Sequence, residues 1–429
     1  MRTAEQVVNE INSARGDGDE QGLRNTAALL DVLQAWPDCP VIHVAGTNGK
    51  GSVCAMLSSV LAAAGYRTGL YTSPFLQTYA ERIRFNGTPI DEEKLAKYGS
   101  EVLDAAAKSK AEKGYDNTPF GLGTALAFHA FRQEGTEIII SETGLGGRLD
   151  PTNVIPKPAV CVLTAIGLDH MQLLGNTLEA IAGEKAGIIK PGVPAVCYPP
   201  DDEAVAAVFR QAATKQRAPL NMLSRKQALI RESGAHGSVV DFMIGSRTWS
   251  EMKISLPGEH QVYNALTVLA ALDELEKQGI RFPRKAVVHG LAHTFWPGRL
   301  EWCGNVLMDG AHNAQGVTAF ADFVSAYLKD RRKVLLTGVL KEKLSDEMLS
   351  RLAGTANEAV TVTPDSPRAM RADELAELLA QKGIQARAAN NLKEGLRQAK
   401  ELAGNDGVVL ATGSLYFIGA LRNELGLDI

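Results

Sequence analysis

The chain has 429 residues, of which 45% are hydrophobic and 22% charged, with a formal net charge of -4. That length is too great for one ordinary domain, and the balance is that of a folded chain rather than a disordered one. The slight acidity argues against broad nucleic-acid or membrane-surface binding, and neither partner is expected.

Five scattered cysteines, Cys39, Cys54, Cys161, Cys197 and Cys303, include no C-x-x-C pair and predict neither a disulfide framework nor a zinc site. The opening MRTAEQVVNE lacks a basic stretch followed by an apolar one, and no run approaches the ~18 apolar residues of a membrane span. A cytoplasmic location is expected.

In chain order, a helix is predicted near 25–34, a strand over 41–45, then a Gly-rich turn and an apolar helix over 52–64. Short apolar runs at 69–72, 137–141, 159–165 and 193–198 read as strands, with helices over 124–132 and 177–189 between them. This alternation predicts right-handed crossovers and a largely parallel sheet. From 220 to 256 the texture changes to short alternating runs split by Gly and Ser, which predicts antiparallel hairpins, and a helix over 259–278 follows. Trp296-Pro297-Gly298-Arg299 breaks the pattern. Beyond it NVLMDG, KVLLTGVL, AVTVTP and GVVLATGS read as strands of a second α/β unit, while the basic run 329–333 reads as a solvated loop. The fold class is therefore α/β. A mostly parallel, P-loop-type domain with a small β-rich annex spans 1–296, and a smaller Rossmann-like α/β domain spans 297–429.

Three tracts carry chemistry. The first, Gly46-Thr47-Asn48-Gly49-Lys50-Gly51-Ser52, sits where a strand hands over to a helix. Small glycines let backbone N–H groups approach phosphate oxygens, and a helix N-terminus adds positive potential. Lys50 supplies a point charge, and the Ser52 hydroxyl suits Mg²⁺ or a phosphate. The strict G-x-x-x-x-G-K-[ST] pattern fails, because Val44 stands at its first Gly and Gly51 follows the lysine, so a structural glycine turn stays open. The second tract is a set of metal-competent residues, Ser73, Glu142 and His170, each just past the end of a strand run. In parallel sheets ligands gather outside the carboxyl ends of strands, and oxygen donors suit Mg²⁺. Read singly, Ser73 before Pro74 is a turn residue and His170 a satisfied core histidine. The third tract, Glu142 to Asp150, holds Gly144, Gly146 and Gly147 and demands tight turns.

With TSPF (72–75), ERIRFNG (81–87), SETGLGGRLDPTNV (141–154), LDH (168–170), GEKAGIIKPG (183–192), PGR (297–299), DGAHN (309–313), GVLKEK (338–343) and TGSLYFIGAL (412–421), these tracts resemble the folylpolyglutamate synthase family. They resemble its bifunctional form, which is also a dihydrofolate synthase, within the Mur ligase superfamily. The resemblance spans about residue 41 to 421.

It implies that residues 46–52 hold the phosphates of ATP and that Ser73, Glu142 and His170 bind Mg²⁺. Asn264, Arg299 and Asp309 would contact the nucleotide. Lys185 matches the lysine that carries a carbamate in this family, an anionic metal ligand in place of a cation; without the motif it reads as a plain helix lysine. Arg82, Phe120, His312 and Ser414 resemble positions that handle folate or glutamate, and His312 is expected to be catalytic together with Lys50 and Lys185. The implied partners are ATP, L-glutamate and a folate or dihydropteroate, with the protein a monomer.

Two departures stand out. Family members show T-x-F-E-x-x-T, whereas Thr118 to Thr124 here has Gly121 in place of the glutamate, and GLRN (22–25) offsets an expected arginine by one position. The implied reaction is ATP + a pterin-bearing carboxylate + L-glutamate → amide + ADP + phosphate. Three other readings remain: a cell-wall Mur ligase, which lacks an obvious uridine-binding domain here; a P-loop kinase; and a non-catalytic nucleotide-binding protein.

Overall fold

The computed structural model describes residues 2–16 and 18–428. The chain divides into two compact units. The first comprises Met1–Arg231, Val239–Ile254 and Gln261–Thr294; the second comprises Glu232–Ser238, Ser255–His260 and Phe295–Ile429.

The strands are β1 (Val41–Ala45), β2 (Thr68–Tyr71), β3 (Ile83–Phe85), β4 (Thr88–Pro89), β5 (Ile138–Glu142), β6 (Val160–Leu163), β7 (Ala195–Cys197) and β8 (Leu220–Met222) in the main sheet of the first unit. They lie in the order β4-β3-β2-β5-β1-β6-β7-β8. Pairing is parallel from β2 through β8, while β3 pairs antiparallel with both β2 and β4. All residues of β1, β5 and β6 are buried. Strands covered on both faces read as continuous apolar runs, which is why they were legible.

The hairpins β9 (Ala228–Gly234), β10 (Gly237–Ile244) and β11 (Arg247–Ile254) form a separate three-stranded sheet, as the texture predicted. Two-residue connections make them antiparallel. Residues 220–222, expected in that annex, instead extend the main sheet as β8, parallel to β7.

The second unit holds β12 (Glu301–Cys303), β13 (Val306–Asp309), β14 (Lys333–Thr337), β15 (Glu358–Thr361), β16 (Gln385–Ala388) and β17 (Val408–Thr412), ordered β12-β13-β17-β14-β15-β16. All pairs but β12–β13 are parallel. Leu307, Leu335 and Leu410 enter one apolar cluster, while Val306, Met308, Val334, Leu336, Val409 and Ala411 enter the other. The period-two alternation thus buries both faces of this sheet.

Several elements start earlier than their apolar patterns. The helix predicted over 52–64 runs Lys50–Ala63. The one predicted over 124–132 is Pro119–Gln133, begun by the Thr118 cap, whose hydroxyl accepts from the Gly121 N–H, and by Pro119 in the first turn. Its two early glycines hid that start. The helix Glu92–Lys113 was not foreseen, although Asp91 caps it and Gly114 ends it in the left-handed conformation. Among the described residues all five cysteines are free, and no helix is long and apolar enough to cross a membrane.

Candidate functional site

In the first unit, β1 ends at Ala45 and the chain turns through Gly46 to Gly49 into helix Lys50–Ala63. A side chain at Gly46 would put Cβ 1.8 Å from Thr164 Oγ1. Gly49 has φ +88°, and a Cβ there would lie 2.6 Å from Asn264 Oδ1. Both positions therefore require glycine. No side chain caps the helix at Gly49, so its first N–H groups lack the usual side-chain acceptor, an arrangement suited to an anion.

Two lysines converge on this turn. Lys50 Nζ donates to the carbonyls of Gly46 (3.1 Å) and Thr47 (3.2 Å), and Lys185 Nζ donates to the same Gly46 carbonyl at 2.8 Å. Lys50 Nζ also lies 3.9 Å from Glu142 Oε1. Lys185 sits near the end of helix Leu178–Ala186 and is 5% exposed. Burial, reinforced by the charge of Lys50, pushes its ammonium down to about 7, against the pull of Asp169 and Asp150.

Glu142, the last residue of β5, is buried, and one of its carboxylate oxygens accepts from the Ser73 N–H at 3.4 Å. His170 lies seven residues beyond β6, in the left-handed conformation (φ 49°), with its ring 3.8 Å from Asp169 Oδ1. Its side chain is 45% exposed. Among the described residues no three His, Cys, Asp or Glu side chains gather closely enough to hold a metal. A cation at these strand ends would therefore need donors from Ser73 and Lys185 as well as Glu142 and His170. Lys185 has the chemistry for such a set, because a lysine held near neutrality is the form that captures CO₂ as a carbamate, which would replace a repelling cation with an anionic oxygen donor.

Helix Glu259–Lys277 supplies the far wall of the turn. Asn264 Nδ2 donates to Gln261 Oε1 (2.9 Å), and Gln261 Nε2 donates to Ser52 Oγ (3.2 Å). Gln261 was missed by the sequence reading, though it stands one helical turn before Asn264 in the HQVYNA tract. Asp150 was also missed as an organiser. Its buried carboxylate accepts from the N–H groups of Gly144, Leu145 and Thr152 and from the Thr152 hydroxyl, which fixes the glycine-rich turn. Burial raises its pKa against those hydrogen bonds.

Arg82 and Phe120 meet in an aromatic cluster. The guanidinium lies 5.3 Å from the ring centres of both Phe75 and Tyr79 and 6.0 Å from that of Phe120. Arg82 Nε is buried without a hydrogen-bond partner. One residue on, a Cβ at Gly121 would lie 2.8 Å from Thr26 Oγ1, and that hydroxyl is already donated to the Gly22 carbonyl. The glutamate expected there has no room in this packing.

In the second unit, the remaining expected residues gather at the carboxyl ends of β13 and β17, which pair Asp309 with Thr412. The Asp309 carboxylate accepts from the N–H groups of Leu300 and Ala311, both at 2.9 Å. Burial raises its pKa, opposed first by Arg299. A side chain at Gly310 would put Cβ 2.4 Å from an Arg299 guanidinium nitrogen. His312 Nδ1 lies 2.8 Å from the Gly310 carbonyl oxygen. Ser414 is buried at the start of helix Leu415–Glu424, where its hydroxyl caps by accepting from the Phe417 N–H at 3.1 Å.

A glycine turn feeding a helix, two converging lysines and a second α/β unit suit a nucleotide-dependent enzyme, and family comparison makes the class an ATP-dependent ligase. The Mur ligase middle domain model matches residues 44–272, and the Mur ligase glutamate ligase domain model matches 298–415. The chain is 38% identical over 392 residues to the dihydrofolate synthase/folylpolyglutamate synthase of Bacillus subtilis, covering 89% of this chain and 90% of that one. A Mycobacterium tuberculosis folylpolyglutamate synthase complexed with ADP superposes with a TM-score of 0.90 at 31% identity, over 99% of this chain and 98% of the other. E. coli FolC in complex with DHPP and ADP superposes with a TM-score of 0.88 at 27% identity, over 99% and 98%. The chain belongs to the dihydrofolate synthase/folylpolyglutamate synthase branch of the Mur ligase family.

Proposed function

We propose that this protein joins L-glutamate to a folate, and also to dihydropteroate, in an ATP-dependent ligation through an acyl phosphate. A carboxylate is a poor acyl donor because its leaving group would be oxide. Transfer of the γ-phosphoryl group of ATP to the carboxylate oxygen gives an acyl phosphate and ADP. Attack by the glutamate amine then forms the amide and releases phosphate and a proton.

The observation that carries this reading is the convergence of Lys50 and Lys185 on the Gly46 carbonyl at the mouth of an uncapped helix. Lys50 beside uncapped helix N–H groups supports an electropositive recess for a polyphosphate, and the weakly basic Lys185 amine lies at its edge, where a carbamate would face the metal. In this proposal residues 46–52 hold the phosphates, Asn264, Arg299 and Asp309 contact the nucleotide, and Arg82, Phe120, His312 and Ser414 serve the acceptor and glutamate. Ser73, Glu142, His170 and carbamylated Lys185 would hold Mg²⁺, which offsets charge on the transferring phosphoryl group. The lowered basicity of Lys185 supports the carbamate, since a substantial fraction of the amine is neutral near pH 7.

The two catalytic parts belong in this reading to residues 1–296, which bind ATP, and 297–429, the ligase domain. A monomer in the cytoplasm is part of the same proposal. Bifunctionality is supported by the Bacillus subtilis relative, which bears both activities in its name. The test is glutamate-dependent ADP release with tetrahydrofolate and with dihydropteroate in turn. Release with both is expected; release with tetrahydrofolate alone makes the enzyme monofunctional, and release with neither overturns the reading.

A further inference from the structure

The Thr47 hydroxyl is committed on both sides to one residue outside its loop. Thr47 Oγ1 donates to the Gly167 carbonyl at 3.1 Å and accepts from the Gly167 N–H at 3.1 Å. The N–H groups of Thr47 and Asn48 both donate to the Ala165 carbonyl, at 2.9 and 3.2 Å, and Asn48 and Ala165 form an isolated β-bridge. One residue earlier, Gly46 presses against Thr164, whose Oγ1 is buried with no hydrogen-bond partner. Positions 46, 47 and 48 therefore all meet the stretch 164–167, three residues before His170.

A hydroxyl has one proton and two lone pairs. The proton of Thr47 is directed at the Gly167 oxygen, so it is not presented to a phosphate oxygen, and a lone pair facing an anion is repulsive. The N–H groups of residues 47 and 48 are likewise turned onto Ala165. Of the N–H groups of residues 47–52, those from Gly49 onward are left for an anion.

We propose that Thr47 is a positioning residue whose hydroxyl staples the 46–52 loop to residues 164–167, holding the loop and the turn that carries His170 in one register. The inference rests on the reading of 46–52 as the phosphate loop. A ligand seated on Lys50 would, through this staple, steady the turn before His170.

The test is amide hydrogen exchange on the full chain without ligand, followed by the same measurement with ADP. Thr47→Val keeps the shape and removes both hydroxyl bonds; Thr47→Ser keeps the hydroxyl. In Thr47→Val, exchange at residues 165–170 is expected to quicken about tenfold or more, whereas Thr47→Ser stays within about threefold of the native chain. ADP is expected to slow exchange at both 46–52 and 164–170 in the native protein, but only at 46–52 in Thr47→Val. Unchanged exchange at 165–170 in Thr47→Val overturns the staple. So does equal loosening in Thr47→Ser. Thr47→Ala repeats the comparison with a smaller side chain; faster exchange spread through β1, β5 and β6 in both variants assigns the effect to a general fold defect and also overturns it. If ADP slows exchange nowhere in the native chain, the nucleotide reading fails, while the ligand-free comparison still decides the staple.

Discussion

The carboxyl-end loops of the two sheets are built in opposite ways. In the second unit the expected functional groups are satisfied by their own surroundings: Asp309 accepts two backbone N–H groups, and Ser414 caps a helix. In the first unit two amines are crowded together, with only a long ion pair to balance one of them. Lys50 and Lys185 share one carbonyl, an uncapped helix begins beside them, and the nearest carboxylate, Glu142, lies 3.9 Å from Lys50. The difference separates a preorganised frame from the recess proposed to take the phosphates. Polar groups already paired hold geometry, whereas a buried amine crowded by a second one gives up its proton readily.

Substitutions should therefore act on activity alone in the first unit, and on stability as well as activity in the second. The largest effect is expected for Lys50→Ala, a loss of ~10³-fold in turnover, about 4 kcal/mol of barrier, with unchanged thermal unfolding. Activity retained within about tenfold would remove Lys50 from the phosphate site. Lys185→Ala should lose ~10²-fold or more, about 3 kcal/mol, yet the fold should be no weaker, because an unfavourably buried amine is gone. A short carboxylic acid added to this variant should restore part of the rate; rescue by a short amine instead would contradict the carbamate.

For the second unit the readout changes. Asp309→Ala leaves the N–H groups of Leu300 and Ala311 without their acceptor and should destabilise by about 3 kcal/mol, seen as a lower unfolding midpoint. Unchanged unfolding would show that the frame does not depend on this carboxylate. Ser414→Ala should cost about 1 kcal/mol through the lost cap, and a Gly replacement less. If Ser414→Ala abolishes turnover with no stability loss, the hydroxyl serves substrate rather than the helix.

The smallest expected effect is on acid stability. Burial, reinforced by Lys190, holds His43 down at about 3 against an ordinary 6.5. Between those values the unfolded chain binds the extra proton, so stability falls as pH drops below about 6.5, by under about 1 kcal/mol at pH 6. Thermal midpoints of the native chain and His43→Gln, followed from pH 7.5 to 6, should show the shallower slope in the variant. Equal slopes would mean that other groups govern the acid limb.

The buried parallel strands were legible because each is an apolar run wherever it lies in the chain, as in IIIS before Glu142 and VLLT before Gly338. The glycine turn and Lys50 were legible for a similar reason: close backbone approach excludes side chains, so the requirement is written in residue type. Edge and exposed elements were not. Strand β16, Gln385–Ala388, is largely exposed and carries no apolar pattern, and residues 220–222 were taken for annex because a three-residue strand has too little periodicity to declare its sheet.

What residue order alone determined was the alternation of strands and helices, the glycine turn and the family motifs, all of them local patterns of size, polarity and spacing. Only the tertiary structure decided which groups meet. It brought Lys185 onto the Gly46 carbonyl across 139 positions of sequence and Thr47 onto Gly167 across 120. It also gave Asp150 its role in the glycine-rich turn and closed the space beside Gly121 with Thr26. The physical reason is range: propensity and periodicity act over a few residues, while burial, hydrogen-bond closure and the basicity of an amine are set by whatever the fold packs around it.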